Sequence, residues 1–377
     1  VQALLLRGAV LRGGRIVPGE VAVRDGRIAA AAAGSPARLL PAGWVVAPSP
    51  VDLQVNGYAG AEVGDDPEAL AQVARGLARD GVAAFCPTLV SRGDAAYRRA
   101  ARALEAVRWP DDGARPLGVH LEGPFLAPRR AGAHRPSALR APGGDALDRL
   151  LALFRPRIVT LAPELPGATE AVRRLRRAGV VVALGHTEAT AGQVRDAVAA
   201  GARLVTHALN AMPGLTARGP ATLAAAALDR RVHVAVIADG VHVGPEALAA
   251  LARLAGRRLV LVSDAVAAAG APAGRYALAG RWLTSDGRRV TDGRGALAGS
   301  ARPLLDGPAT LAAAGVGRAA ALAAACAAPR RVLDLGDPLA PGAPADLVVV
   351  DEAGRLRISL RAGRAVRGDP MALMAAP

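Results

Sequence analysis

Lysine is absent from this chain of 377 residues; all 47 basic side chains are arginine. No Schiff base can therefore form on a lysine, and no carboxylated lysine can bridge two metal ions, which removes several lyase and hydrolase chemistries. Asparagine is nearly absent too, occurring only as Asn56 and Asn210. Loss of both residue types beside abundant Ala, Arg, Gly and Pro reads as nucleotide bias. The formal charge of +15 is then a poor argument for a nucleic-acid partner. The arginines are dispersed, as at Arg98-Arg99, Arg129-Arg130, Arg173-Arg174 and Arg257-Arg258, with no concentrated stripe and no interleaved aromatics. No nucleic acid is expected, while a positive field still favours a small anionic ligand.

Aromatic residues make up 2 % of the chain, so a core must come from Ala, Val and Leu; with 52 % apolar residues a large one can be buried. The two cysteines, Cys86 and Cys326, have no Cys-x-x-Cys spacing, which points to reduced thiols and a cytoplasmic setting. Uninterrupted apolar runs of the length of a membrane span, about 18 residues, are missing, so no membrane partner is expected. The apolar start, Val1 to Arg7, is too short for a signal peptide and carries no basic leader.

What is present is alternation. Residues 4–33 read as short strands divided by turns at Gly13-Gly14 and Asp25-Gly26, and a similar pattern returns in Asp346–Val350 and Leu356–Leu360. Two strand-rich ends point to one small β-sandwich domain formed by both termini, residues 1–47 and 338–377. Between them, apolar runs at Val51–Val55, Val82–Phe85, Leu117–Leu121, Ile158–Leu161, Val180–Leu184, Leu204–His207, Val232–Ile237 and Leu259–Ser263 predict buried strands. Helical stretches such as Asp66–Asp80, Thr190–Ala200 and Pro245–Ala255 follow them. About eight such units over residues 48–337 fit an α/β fold of the (β/α)8 TIM-like barrel type. A doubly wound sheet is the weaker reading, because no Gly-x-Gly-x-x-Gly follows the first long strand.

Barrel enzymes place their chemistry at the C-terminal ends of strands. Here Gln54 and Asn56, then Glu122, His186, His207 and Asp264, stand at successive strand ends. One carboxylate and two imidazoles converging there make a three-ligand site, the open tetrahedral arrangement of a catalytic zinc. A lone buried histidine is more often a hydrogen-bonded core residue; several at successive strand ends are not. Asp264 beside such a metal can take a proton from water and give it to a leaving amine, or cap the Ala-rich segment that follows it.

The segments Gln54-Val55-Asn56-Gly57, His120-Leu121-Glu122-Gly123-Pro124-Phe125, Leu184-Gly185-His186-Thr187 and Thr206-His207-Ala208-Leu209-Asn210-Ala211-Met212-Pro213 resemble the motifs of the N-acetylglucosamine-6-phosphate deacetylases, in the amidohydrolase superfamily. Ile237–Val243, Val262–Ala265 and Leu297–Ser300 continue the resemblance in the same order, nearly to the end of the chain at Pro341–Val348. The resemblance implies deacetylation of N-acetylglucosamine 6-phosphate, with N-acetylgalactosamine 6-phosphate, or another small amide cleaved by an amidohydrolase, as the alternatives. It assigns Glu122, His186 and His207 to the metal, Asp264 to proton transfer, and His134 to polarising the acetyl carbonyl. It gives the phosphate to Asn210, the Ala211 backbone, Arg218 and His242, and places Gln54 and Leu297 against the substrate. Some family phosphate contacts come from a neighbouring subunit, which implies a homodimer.

Many superfamily members open the barrel with a His-x-His that holds a second metal. Gln54 and Asn56 stand there and are poor zinc ligands, so one divalent ion per chain is expected, zinc first, with Fe2+, Mn2+ or Co2+ as alternatives. Asn56 and Asn210, the surviving asparagines, both fall in these motifs. The departures are Pro48-Ser49-Pro50 for the usual Pro-Gly-Phe, which touches the entry geometry of the first strand, and Ala208-Leu209 for Leu-Tyr with Gly214 after the Asn-Ala-Met-Pro segment, which touch the sugar or dimer contacts. His120 shares the strand face of Glu122, two positions on. Asp52 and Asp239 are expected to orient neighbouring loops, His233 to be structural and Cys86 to pack.

Overall fold

The apolar runs become eight parallel strands in the computed structural model, which describes residues 3–30, 37–143, 145–215, 219 and 221–375. They are β1 (Val51–Val55), β2 (Ala84–Val90), β3 (His120–Glu122), β4 (Ile158–Leu161), β5 (Val181–Leu184), β6 (Leu204–Val205), β7 (His233–Val236) and β8 (Leu259–Leu261). Each pairs in parallel with the next in sequence. The ring closes just beyond β1 and β8, where the backbone N–H groups of Asn56 and Gly57 donate to the Ala265 carbonyl at 2.7 and 3.1 Å. Helices follow the strands, from Pro67–Arg79 after β1 to Asp306–Ala313 after β8. This is the expected barrel.

Period-two alternation separates its two cores. Ala84, Cys86, Ile158, Ala183, Leu204, Ala235 and Val260 form one buried cluster, small enough to fill the barrel. Their sequence neighbours Phe85, Val159, Val182, Val205, Val234 and Leu261 belong to another, shared with helix residues Leu70, Val73, Val172, Val194 and Leu248. Each fully buried Val or Leu of this kind contributes about 1.5–3 kcal/mol.

Several strand limits differ from expectation, among them β8, which stops at Leu261 rather than Ser263. β2 begins at Ala84 and runs on to Val90, five residues past the predicted end at Phe85. β3 starts at His120 rather than Leu117, because Gly118 adopts φ 111°. β6 stops at Val205, and His207, predicted to lie in the strand, turns to φ 22°. An unexpected three-stranded antiparallel sheet, Gly274–Leu278, Arg281–Ser285 and Val290–Thr291, lies between β8 and its helix. Its Leu278, Leu283 and Val290 pack on Val90, Val266 and Ala298, which anchors it beside the mouth of the barrel.

Strands from the two ends of the chain share one eight-stranded sheet, joined where Val45–Pro48 pairs antiparallel with Leu347–Val350. Alternation again decides the packing. Val46, Leu347 and Val349 join Leu6, Val10 and Val23 in a core of the sheet's own. Val45, Ala47, Val348 and Val350 face the other way, into the barrel's outer cluster. Among the described residues, no helix is long and apolar enough to cross a membrane.

Candidate active site

Sequence chemistry and backbone geometry meet at the strand ends. His186, His207 and Asp264 all have positive φ, at 49°, 22° and 49°. For residues with a Cβ this is sparsely populated backbone, costing on the order of 1–3 kcal/mol each, and it persists only where surroundings enforce it. These turns come two or three residues past the ends of β5, β6 and β8 and bring the side chains to the cleft at the barrel mouth. Gly185, just before His186, lies against Thr206 and Thr160, where a Cβ would meet Thr206.

Three of these side chains converge. Glu122 Oε1 lies 3.2 Å from His186 Nε2 and 2.9 Å from His207 Nε2, and the two Nε2 atoms are 3.1 Å apart. All three residues are buried. His186 donates Nδ1–H to the Arg130 carbonyl at 2.8 Å, so in the neutral ring its Nε2 presents a lone pair to the cluster. Burial pushes Glu122 up, but the imidazoles of His134, His186 and His207 around it outweigh that and hold the carboxyl well below its ordinary range. Burial drives His186 down to about 4. At His207 burial also acts downward, yet the hydrogen bond and charge of Glu122 prevail and the imidazole is raised. A carboxylate oxygen and two imidazole nitrogens facing one point are the donor set of a divalent metal, and Glu122, His186 and His207 could hold one.

Asp264 stands beside the cluster. Its Oδ1 accepts from Asn56 Nδ2 at 2.7 Å and Gln54 Nε2 at 3.1 Å, which leaves Oδ2 to the cleft. Burial, then the negative charge of Glu122, push its carboxyl up to about 7; the charge of a nearby divalent ion acts in the opposite direction. Gln54 differs from expectation. It is fully buried, its Nε2 also donates to Glu122 Oε1 at 2.7 Å, and its carbonyl accepts from Thr206 Oγ1. With its amide spent on protein partners, Gln54 holds Glu122 and Asp264 in place and does not line the cleft.

His134 approaches from the loop after β3. The backbone N–H of Ser91 donates to His134 Nδ1 at 3.1 Å. A backbone amide only donates, so Nδ1 is the acceptor and Nε2 carries the ring's proton. That Nε2 lies 3.7 Å from Glu122 Oε2, on the cleft. The apolar run that ends at Phe85 gives no sign of Ser91; with the end of β2 at Val90, Ser91 is another strand-end residue.

The cleft over this cluster measures about 380 Å³ and is lined by Asn56, His134, Asn210, Ala211, His242, Asp264 and Leu297, with the metal-type cluster at its floor. Asn210 Nδ2 donates to the His207 and Ala208 carbonyls at 3.2 and 3.3 Å, and Ala211 follows with φ 49°. His242 Nδ1 lies 2.7 Å from Asp239 Oδ2. Arg218 falls outside the described residues. Arg129 and Arg130, noted in the sequence only as part of the dispersed charge, also line the cleft. His120 sits below, with Nδ1 2.8 Å from the Leu53 carbonyl and Nε2 2.7 Å from Thr160 Oγ1; burial lowers it to about 4. Asp52 orients the segment that follows β8, as expected. It lies within β1 and ties that strand to the segment, accepting from the Gln54 and Ser263 amides at 3.2 Å each. A larger groove of about 1000 Å³ runs between the terminal sheet and the barrel, but its arginines (Arg27, Arg115, Arg361, Arg364) are interleaved with Asp25, Asp111 and Asp369. It holds no converging set of histidines and carboxylates.

No protein-family model matches the chain. Curated relatives do. The N-acetylglucosamine-6-phosphate deacetylase of Bos taurus is 35 % identical over 95 % of this chain and 93 % of its own, and that of Homo sapiens is 34 % identical over the same shares. The chain belongs to the N-acetylglucosamine-6-phosphate deacetylase family. It is an enzyme of the amidohydrolase superfamily, whose members depend on metal. The N-acetylgalactosamine-6-phosphate deacetylase of Escherichia coli O157:H7 is 40 % identical over 68 % of this chain and 69 % of its own. Among solved structures, a mutant N-acetyl-D-glucosamine-6-phosphate deacetylase of Mycobacterium smegmatis, in complex with N-acetyl-D-glucosamine-6-phosphate, superposes with a TM-score of 0.89 at 33 % identity, covering 97 % of this chain and all of that one. The Thermotoga maritima enzyme, at 24 % identity and a TM-score of 0.85 over 98 % of this chain and all of its own, shares the fold.

Proposed function

We propose that this enzyme hydrolyses the acetamide of N-acetyl-D-glucosamine 6-phosphate, releasing acetate and D-glucosamine 6-phosphate. The observation that carries the reading is the Glu122, His186 and His207 cluster beside Asp264, at the floor of a cleft in a chain of this family. A divalent ion held by these three residues would supply Lewis acidity, lowering the pKa of water and drawing electron density from a carbonyl oxygen. Asp264 Oδ2 accepts the proton of the attacking water and delivers it to the departing nitrogen, so that one water is consumed and one amine and one acetate form. His134 donates its Nε2–H to the acetyl oxygen as negative charge develops there. Asn210, the Ala211 amide, Arg218 and His242 bind the phosphate, and Leu297 borders the sugar. Binding energy from that remote group orients the amide over Asp264 and His134.

One ion per chain is the proposed stoichiometry, with zinc as the metal. Gln54 and Asn56, at the positions where many superfamily members bind a second ion, have their amides committed to Glu122 and Asp264. We further propose a homodimer, supported by exposed Leu215 and Leu228 in the βα unit that also carries Arg218. A cytoplasmic setting fits the two buried free thiols. A division into residues 1–47 with 338–377, and 48–337, fits a sheet drawn from both ends of the chain.

The second reading is the galacto epimer, favoured by the 40 % identity to the Escherichia coli O157:H7 enzyme. Measuring kcat/KM on both N-acetylhexosamine 6-phosphates separates them. A higher value on the gluco epimer is expected. A higher value on the galacto epimer moves the assignment to that sugar, and release of acetate from neither overturns it.

A further inference from the structure

The loop after β7 carries a buried carboxylate that no step above uses. Asp239 accepts four hydrogen bonds: Oδ1 from the Val241 and His242 backbone amides, both at 2.9 Å, and Oδ2 from His242 Nδ1 at 2.7 Å and Ser300 Oγ at 3.0 Å. An ionised carboxylate has about four acceptor sites and no proton to give, so this set saturates it and forces the proton onto His242 Nδ1. Nε2 is thereby the ring nitrogen left for the cleft, which His242 lines. Burial opposes the charge on Asp239, but the hydrogen bond from His242 leads the groups that outweigh it and hold the carboxyl well below its ordinary range.

Ser300 extends the connection. Its backbone N–H donates to the Asp264 carbonyl at 2.9 Å, and its carbonyl accepts from Val266 at 3.2 Å. The preceding Leu297, Ala298 and Gly299 line the cleft. One carboxylate therefore ties the His242 loop to the Leu297–Ser300 segment and, through it, to the end of β8.

We propose that Asp239 is the positioning residue for substrate recognition: it fixes the tautomer and aim of His242, so that the phosphorylated end of the sugar is read by a preset site. The proposal rests on the reading of the substrate as a sugar phosphate. Asp239→Asn puts an NH2 donor where an acceptor is required, either against two backbone amides or against His242 Nδ1 and Ser300 Oγ.

The test is a double-mutant cycle on the holoenzyme, with Asp239→Asn, His242→Ala and the pair, assayed on N-acetylglucosamine 6-phosphate and on plain N-acetylglucosamine. Asp239→Asn is expected to raise KM for the phosphorylated substrate about tenfold, the scale of orienting partners behind ligating histidines. kcat and the slower reaction of the plain sugar are expected to change little. The pair should lose no more than His242→Ala alone, because Asp239 acts through that ring. Multiplying losses, or an equal fall in kcat on both substrates, would overturn the proposal. Imidazole 15N spectra give a readout that needs no substrate: wild type should show His242 protonated at Nδ1, and Asp239→Asn should change that signal. An unchanged signal refutes the role of Asp239. A wild-type enzyme indifferent to the phosphate refutes the substrate reading instead, and leaves the spectrum to judge Asp239.

Discussion

At the scale of the residue, the site depends on which atoms can give a proton and which cannot. Backbone groups settle two of the imidazoles: the Arg130 carbonyl takes Nδ1–H of His186, and the Ser91 amide gives to Nδ1 of His134. The rings therefore present opposite faces to the cleft, one a lone pair and the other an N–H. Asp264 is held through Oδ1 by the two side-chain amides of Gln54 and Asn56, and its other oxygen carries the proposed proton transfer. Asp264→Asn is expected to lower kcat by about 10²–10⁴, the usual worth of a positioned acid–base group, with bound metal unchanged by elemental analysis. Full activity in that variant would remove Asp264 from the mechanism. The convergence of Glu122, His186 and His207 is legible in the sequence, because each stands just past a recognisable apolar run. The partners that orient them were less so. Arg130 and Ser91 act through backbone atoms, which composition and spacing do not reveal. Gln54 was visible as a residue, but its threefold commitment required the facing strands to be in place.

At the scale of the element, alternation carried most of the fold and failed where geometry interrupts it. β2 was read five residues short because Cys86-Pro87-Thr88 breaks the apolar run, although all seven residues of the strand are buried. The sheet of Gly274–Thr291 is not legible in the sequence, because Gly274–Leu278 shows no clean period and Arg281–Ser285, which alternates, exposes Trp282 and buries Ser285. Turns are held by equally local chemistry. Asp351, in the turn after Leu347–Val350, accepts from the Arg355 amide and from the guanidinium groups of Arg355 and Arg357 at 2.6–2.9 Å. Burial acts against its charge, but these bonds outweigh it and bring the carboxyl down from 3.8 to about 2. A depressed carboxylate stabilises the fold above its unfolded pKa and loses that contribution as pH falls through its folded value. Asp351→Asn should therefore melt lower than wild type at neutral pH, with the gap closing between pH 3.8 and about 2. Parallel thermal melts across that interval check it; a gap that stays constant would show that the charge is not the source.

At the scale of the whole molecule, the barrel places the chemistry and the terminal sheet braces it from the side. The barrel core and the sheet core are both apolar and independent of the Glu122, His186 and His207 cluster. Chelation of metal is therefore expected to abolish turnover while far-ultraviolet circular dichroism stays unchanged, with the melting temperature falling only by the lost binding energy. Return of activity on adding back zinc completes that test, and unfolding on chelation would mean that the ion is structural. The charge of +15, conspicuous in the sequence, has no bearing on the fold; a positive field favours an anionic ligand.

The central claim is that a metal-dependent hydrolase reads a phosphate and cleaves an acetamide. Free amine released by the zinc-loaded protein from N-acetylglucosamine 6-phosphate, set against plain N-acetylglucosamine, tests both halves together. Rapid release from the phosphorylated sugar, and much slower release from the plain one, is the expected result. No amine from either sugar, with the protein folded and carrying metal, would contradict the account.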